Sequence, residues 1–177
     1  AGARVGEGTS VGQNCYIGRN VSIGKDCKLQ NNVSVYQGVT LEDGVFCGPS
    51  CVFTNDLTPR ARYPKGSARF VPTRVEEGAS IGANATVVCG HTIGRCAMVG
   101  AGAVVLSEVP PCATVVGVPG HVARLYDCPA RCCGDETCDR NAPNCQKRAA
   151  CETARRIAGA HAAGEAGVDL DQVHLPD

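Results

Sequence analysis

The sequence has no tryptophan, and its aromatic residues together make up only 4% of 177 positions. That scarcity excludes a core assembled around rings, so the interior must be built from small and branched side chains. A surplus of charge is missing as well. Lys and Arg number 17, Asp and Glu 17, and the formal net charge is zero, which argues against a partner recruited by overall charge, such as nucleic acid or an anionic membrane. No apolar run approaches the roughly 18 residues of a membrane helix. The first residues also lack the charged-then-apolar order of a signal peptide. Together these absences predict a soluble, cytoplasmic chain, and the missing initiator Met leaves room for an upstream segment.

Abundance points the other way. The chain carries 22 Gly and 13 Cys, and 44% of it is apolar, enough for one domain with a sizeable core plus a small appendage. An aliphatic or apolar residue recurs every six positions at Val5, Val11, Ile17, Ile23, Leu29, Val35, Leu41, Cys47 and Phe53. A second run follows at Val75, Ile81, Val87, Ile93, Val99 and Val105. Four positions after most of these stands a small residue, among them Cys15, Val21, Cys27, Val33, Ala79, Ala85, Ala97 and Ala103. His91 alone breaks that rule.

Residues two apart on a strand face the same way, so the small residue and the next aliphatic point inward and the residue between them points out. Those between are mostly polar: Arg4, Ser10, Ser22, Lys28, Ser34, Thr40, Ser80, Thr86 and Thr92. Just before the small residue comes Gly, Asn or Asp almost throughout, the residue types that accept positive φ. Each hexad is therefore a short strand ending in a tight corner, and a long run of them coils into a parallel β-solenoid with a narrow core. In this frame Cys15, Cys27, Cys47 and Cys51 are inward-facing and read as small buried hydrophobes rather than redox groups.

The interval from Phe53 to Val75 is not a multiple of six, so a loop over residues 54–74 must be extruded. It holds Arg60, Arg62, Lys65, Arg69 and Arg74 against the single acid Asp56. A solvated loop accounts for one or two such charges; five predict a surface for phosphates or carboxylates. Only Tyr63 and Phe70 interleave with them, too few aromatics for nucleic acid.

The stretches KLQNNVSVYQGVTLEDGVFCGPSCVFTND and GASIGANATVVCGHTIGRCAMVGAGAVV, followed by VVGVPGHVAR, resemble the hexapeptide-repeat acyltransferases. Within them the likeness is to the UDP-2-acetamido-3-amino-2,3-dideoxyglucuronate N-acetyltransferases, which serve bacterial surface polysaccharide such as lipopolysaccharide O-antigen. The non-repeat words QNNVSVY, FCGPS, FTN and VCGHTIG carry the finer likeness. It covers about residues 1–126 and implies an all-β, left-handed parallel β-helix, usually a homotrimer. It also implies acetyl-CoA in the groove between neighbouring subunits, a nucleotide-sugar acceptor on the loop side, and no metal.

The resemblance places Asn55 where an asparagine holds the sugar amine, and Arg124 where a basic residue meets CoA phosphates; Asn55 equally suits the start of the loop turn, and Arg124 a plain surface position. Arg60 suits a sugar carboxylate, because a guanidinium grips both oxygens. Gly100 and Gly102 let a pantetheine arm approach the backbone, and equally suit corners. Many relatives have a histidine base where this chain has Asn84, itself a regular corner residue and, by the resemblance, a candidate for binding the sugar substrate. His91 is then the candidate base, its imidazole titrating near neutral pH; the alternatives are a satisfied core histidine and direct proton passage to the CoA sulfur. Relatives typically read TNVYNPR where this chain reads TNDLTPR, so Asp56 adds a negative charge beside the expected amine site. Relatives also begin with one or two further coils.

After Tyr126 the hexads vanish. The segment 127–177 is Cys-rich without a C-x-x-C pair, so its spacing does not signal zinc; residues 146–163 suit a helix that would cap the solenoid, and disorder is expected beyond Gly164. Phe46, Val52, Met98 and Val104 are apolar at outward positions, which predicts a subunit interface. The remaining readings are transfer to another amino sugar or small acceptor, and a non-catalytic solenoid scaffold. A metal-dependent hydratase on this fold would need three His ligands, and the repeat region holds His91 with His121 just beyond it.

Overall fold

The computed structural model describes residues 2–125; the expected tail, its cysteines and its helix lie outside the described residues. The described chain is a parallel β-helix of five three-strand coils and a partial sixth. The first coil is β1 (Arg4–Val5), β2 (Ser10–Val11) and β3 (Tyr16–Ile17); the second is β4 (Ser22–Ile23), β5 (Lys28–Leu29) and β6 (Ser34–Val35). The third is β7 (Val39–Leu41), β8 (Phe46–Cys47) and β9 (Val52–Phe53). After the extruded loop come β10 (Thr73–Val75), β11 (Ser80–Ile81) and β12 (Thr86–Val87), then β13 (Thr92–Ile93), β14 (Met98–Val99) and β15 (Val104–Val105). A final pair, β16 (Ala113–Val116) and β17 (His121–Leu125), is antiparallel and ends one wall.

Stacking these coils makes three walls. Wall A is β1-β4-β7-β10-β13, wall B is β2-β5-β8-β11-β14-β16-β17, and wall C is β3-β6-β9-β12-β15. Within the regular coils each residue pairs with its counterpart three hexads on, as in Arg4↔Ser22 and Thr86↔Val104. The hexad period and the pleat thus combine to stack each aliphatic on its counterpart one coil away, at the strand spacing of about 4.8 Å.

The interior follows the sequence frame. Val21, Ile23, Leu29, Val33, Val35, Leu41, Phe53, Ile81, Val87 and Ile93 are all buried, and burying each such side chain contributes roughly 1.5–3 kcal/mol. Cys27, Cys47 and Cys51 are buried and Cys15 is partly so; all are free thiols. Their sulfurs serve the fold: Cys15 Sγ and Cys27 Sγ each donate to a backbone carbonyl, of Gln30 and Glu42, at 3.0 Å. The hydrogen bond with Cys51, then burial, pushes the Cys47 thiol well up, so it stays protonated.

The corners obey the positive-φ rule at Asn14, Asn20, Asp26, Asn32 and Asn84 and at Gly8, Gly38, Gly44, Gly78, Gly90 and Gly102. Ser50 and Cys96 do the same, with φ of 60° and 55°. Neither belongs to a residue type that favours this region, so the repeat geometry overrides local preference there.

Two junctions depart from the three-hexad register. Between the third and fourth coils Val39 pairs with Thr73, Thr40 with Arg74 and Leu41 with Val75, so the excess over three hexads is extruded. The loop is shorter than residues 54–74, because Thr73 and Arg74 belong to β10. At the last turn Met98 pairs with Thr114, and Ile93 bridges Val109, each two positions short of three hexads. The chain there takes only four steps from Val105 to Val109.

Candidate functional site

The extruded loop leaves the edge where wall C turns into wall A, and its base is stitched to the coils on both sides. The Thr73 amide donates to the Gly38 carbonyl at 3.1 Å, and the Gly90 amide donates to the Pro72 carbonyl at 3.0 Å. The Cys89 amide donates to Thr54 Oγ1 at 3.0 Å, and the Val71 amide to the Asn55 carbonyl at 3.0 Å. Gly90, at φ +97°, is needed here, since a Cβ would stand 3.2 Å from Val71 Cγ1 in a backbone conformation that side chains resist.

Asn55 sits in this base. Its Nδ2 donates to the Gln37 carbonyl at 3.1 Å, which orients the carboxamide; among the described residues Oδ1 has no donor. The carboxamide oxygen is thus left to accept a hydrogen bond from an amine. His91 lies one coil further along the same edge, and its side chain is 25% exposed. The ring is thus partly open to solvent rather than enclosed in the core. The column that begins with buried Val21, Val39 and Thr73 reaches the surface at His91.

Beyond the base, the basic character of the loop is smaller than its composition. Lys65 Nζ pairs with Asp56 Oδ1 at 2.6 Å and also donates to Thr58 Oγ1. Arg74, on β10, pairs with Glu42 across wall A. Arg60, Arg62 and Arg69 are exposed, and Arg60 Nη1 donates to the adjacent Pro59 carbonyl at 2.9 Å. Asp56 does not stand as a bare charge beside Asn55. It accepts from the Thr58 amide at 2.9 Å as well as from Lys65, and Lys65 first, then that amide, holds its carboxyl below the usual range.

The remaining candidates lie elsewhere. Asn84, Gly100 and Gly102 stack on the edge where wall B turns into wall C, so within one chain Asn84 does not join Asn55 and Arg60. Asn84 is exposed with φ 56°, and its amide donates to the Pro49 carbonyl at 2.9 Å, as its corner role requires. The Gly100 and Gly102 amides are already committed, to the Val115 carbonyl at 2.7 Å and the Ala83 carbonyl at 2.8 Å. They are not donors for a ligand, and the sequence expectation narrows accordingly. A Cβ on Gly100 would meet Val116 Cγ1 at 2.9 Å, whereas Gly102 faces open space. Arg124 is exposed on β17 opposite Thr114, at the end of wall B.

Two features escaped the residue pattern. Glu108 Oε1 lies 3.9 Å from His91 Nδ1, and the Asp56–Lys65 pair closes the loop. Only the short interval from Val105 to Val109 signals the first.

These features define a class: a parallel β-helix of six-residue repeats with an insertion on one edge. The profile of the hexapeptide repeat of succinyl-transferase matches residues 2–37 and 72–107, on either side of that insertion. The profile covers the coils on both sides of the insertion, and the coils form the left-handed β-helix seen in hexapeptide acetyltransferases.

A serine acetyltransferase from Bacillus licheniformis is 40% identical over 84 residues, covering 45% of this chain and 38% of its own. A dTDP-3-amino-3,6-dideoxy-alpha-D-galactopyranose 3-N-acetyltransferase from Aneurinibacillus thermoaerophilus is 49% identical over 53 residues, covering 30% of this chain and 28% of its own. Among solved structures, a hexapeptide-repeat acetyltransferase from Vibrio cholerae in complex with acetyl-coenzyme A superposes with a TM-score of 0.60 at 29% identity. That match covers 70% of this chain and 72% of the other. The chain spans less than half the length of these two curated relatives. Among the described residues no helix is long and apolar enough to cross a membrane, and no cluster of His, Cys, Asp or Glu is arranged to hold a metal ion.

Proposed function

We propose that this chain is an acetyl-CoA-dependent N-acetyltransferase whose acceptor is the 3-amino group of a nucleotide-linked amino sugar, more narrowly a UDP-amino-uronic acid. The observation that carries the reading is the loop edge, where an oriented asparagine stands at the loop base, a partly exposed histidine follows one coil further on, and the loop itself exposes three arginines. The likeness to a 3-amino-sugar N-acetyltransferase and to an acetyltransferase holding acetyl-CoA supports it.

In this reaction the neutral amine attacks the thioester carbonyl. The C–N bond forms, the C–S bond breaks, and the amine proton travels to the departing CoA sulfur. Asn55 Oδ1 accepts from the amine and aims its lone pair. His91 takes the proton and returns it to the sulfur, so that neither an ammonium nor a bare thiolate has to persist. Arg60 meets the acceptor's carboxylate. On the second edge Gly102 and Arg124 border the acetyl-CoA groove, Gly100 serves the corner, and Asn84 meets the sugar substrate held by the neighbouring subunit's loop edge. Because the two sets occupy different edges, one complete site takes the loop edge of one subunit and the other edge of its neighbour in a homotrimer.

Transfer to the hydroxyl of a small acceptor is the second reading, favoured by the serine acetyltransferase likeness. The exposed arginines argue for the more anionic acceptor. A thiol-release assay with acetyl-CoA against UDP- and dTDP-amino sugars and serine separates the readings. Turnover with a 3-amino sugar, falling at least about tenfold in Asn55→Ala, supports the proposal. Turnover with serine alone moves the assignment to the second reading, and no turnover with any acceptor rejects both in favour of a non-catalytic scaffold.

A further inference from the structure

His91 and Glu108 are brought together by a local shortening of the coil. Every earlier turn from wall C to wall A takes at least six steps between the aliphatics that pair from coil to coil, whereas Val105 to Val109, the partner of Ile93, takes four. With Ile93 bridged to Val109, Glu108 falls in the outward row of wall A, beside Thr92. Its carboxylate is held there, because Oε2 accepts from the Thr92 amide at 2.6 Å. The other oxygen, Oε1, lies 3.9 Å from His91 Nδ1.

Arg74, across from Thr92 in the same row, is paired with Glu42. On the coil beneath His91, Thr73 offers only a buried hydroxyl with no partner. Among the described residues, Glu108 is the charged group that faces the imidazole.

We propose that Glu108 is a positioning residue for His91: its carboxylate, 3.9 Å from Nδ1 and so at charge-pair rather than hydrogen-bond distance, favours the ring form that carries its proton on Nδ1 and leaves Nε2 as the nitrogen that takes the acceptor's proton. A carboxylate facing one ring nitrogen lowers the energy of the tautomer protonated on that nitrogen, and closing the gap to a hydrogen bond would fix the ring's orientation as well. The tethered Oε2 keeps the carboxylate in place, so the shortening of the turn supplies both the group and its anchor. The inference rests on the proposed acetyl transfer in assigning a base to His91, but the ring geometry it asserts exists without substrate.

Glu108→Gln tests it, because the amide oxygen still accepts from the Thr92 amide while the charge is lost. Steady-state kinetics would show kcat reduced about tenfold with KM for acetyl-CoA unchanged, and the variant would add nothing in a His91→Asn background, since residues acting as one unit are not additive. A group that merely supports the fold would add its effect in both backgrounds, which would overturn the proposal. Full activity of His91→Asn would overturn it as well, while leaving the acetyltransferase reading intact.

A readout free of turnover is the 15N spectrum of the His91 ring in the full chain, taken where the imidazole is neutral. The wild type should populate the Nδ1–H tautomer, and Glu108→Gln should shift it toward the Nε2–H form. The same tautomer ratio in both proteins would reject the positioning role even if no acceptor is turned over.

Discussion

At the scale of single residues, the loop shows how a charge that looks disruptive becomes structural. Asp56 stands next to the asparagine proposed to hold an amine, where an unpaired carboxylate would favour the ammonium and slow attack. Lys65 and the Thr58 amide engage it instead, and they lower its proton affinity below the ordinary value of 3.8. A carboxyl lowered on folding contributes above its ordinary value, and that contribution is lost as pH falls through the lowered one. Protection of the Thr58 amide in hydrogen exchange should therefore be the same at pH 7 and pH 5 and disappear only below about pH 3.8. Loss of protection already at pH 5 would show that the pair does not close the loop. Asp56→Asn should cut the acceptor's kcat/KM by severalfold, because it frees Lys65 and loosens the turn that carries Arg60. Unchanged kcat/KM would detach the turn from acceptor binding.

At the scale of elements, each hexad is a short strand plus a corner, too small to be stable alone. Its corner is consequently exacting. Asn32, at φ 63°, sits on a corner between two strands whose aliphatics, Leu29 and Val35, are buried. Asn32→Ala should cost about 1 kcal/mol, since alanine lacks the local hydrogen bonding that makes this conformation tolerable, while Asn32→Gly should be nearly neutral. Denaturant unfolding of the pair measures the difference, and equal stabilities would refute the account. The same test at Ser50, with φ 60°, asks whether a corner that the residue pattern does not mark carries the same strain; Ser50→Gly should stabilise by about 0.5–1 kcal/mol. Corners were legible where Gly, Asn or Asp fills them. They were illegible at Ser50 and Cys96 because the neighbouring coils, not the residue, set φ there.

At the scale of the whole molecule, the walls differ in what they present. The outward row of wall A is polar or charged, from Arg4 through Ser22, Thr40, Arg74 and Thr92 to Glu108. Wall B exposes Phe46 and Met98, and wall C carries Val52 and Val104 at outward positions. An apolar strip beside the edge that holds Asn84 and Gly102 is where a neighbouring subunit would complete the site. On the proposed homotrimer, Phe46→Asp with Met98→Asp should lower the mass in sedimentation equilibrium to that of a monomer, and should reduce acetyl transfer at least about tenfold while all catalytic candidates remain in place. A monomeric variant with full activity would show that one chain holds a complete site.

Sequence periodicity alone determined the coil, its inward columns and the burial of Cys27, Cys47 and Cys51, because a strand's two-residue alternation and a six-residue repeat leave one consistent way to face the core. It also located the insertion, since the interval from Phe53 to Val75 is not a whole number of hexads. Contacts across coils decided the rest. Only stacking by three hexads separates Asn55 and His91 from Asn84 and Gly102 onto different edges, and only closure of the loop on itself removes Asp56 and Lys65 from its working charge. The pairing of Glu108 with His91 belongs to the same kind: the chain between them spans a shortened coil, and the distance across it is a property of the turn rather than of either residue.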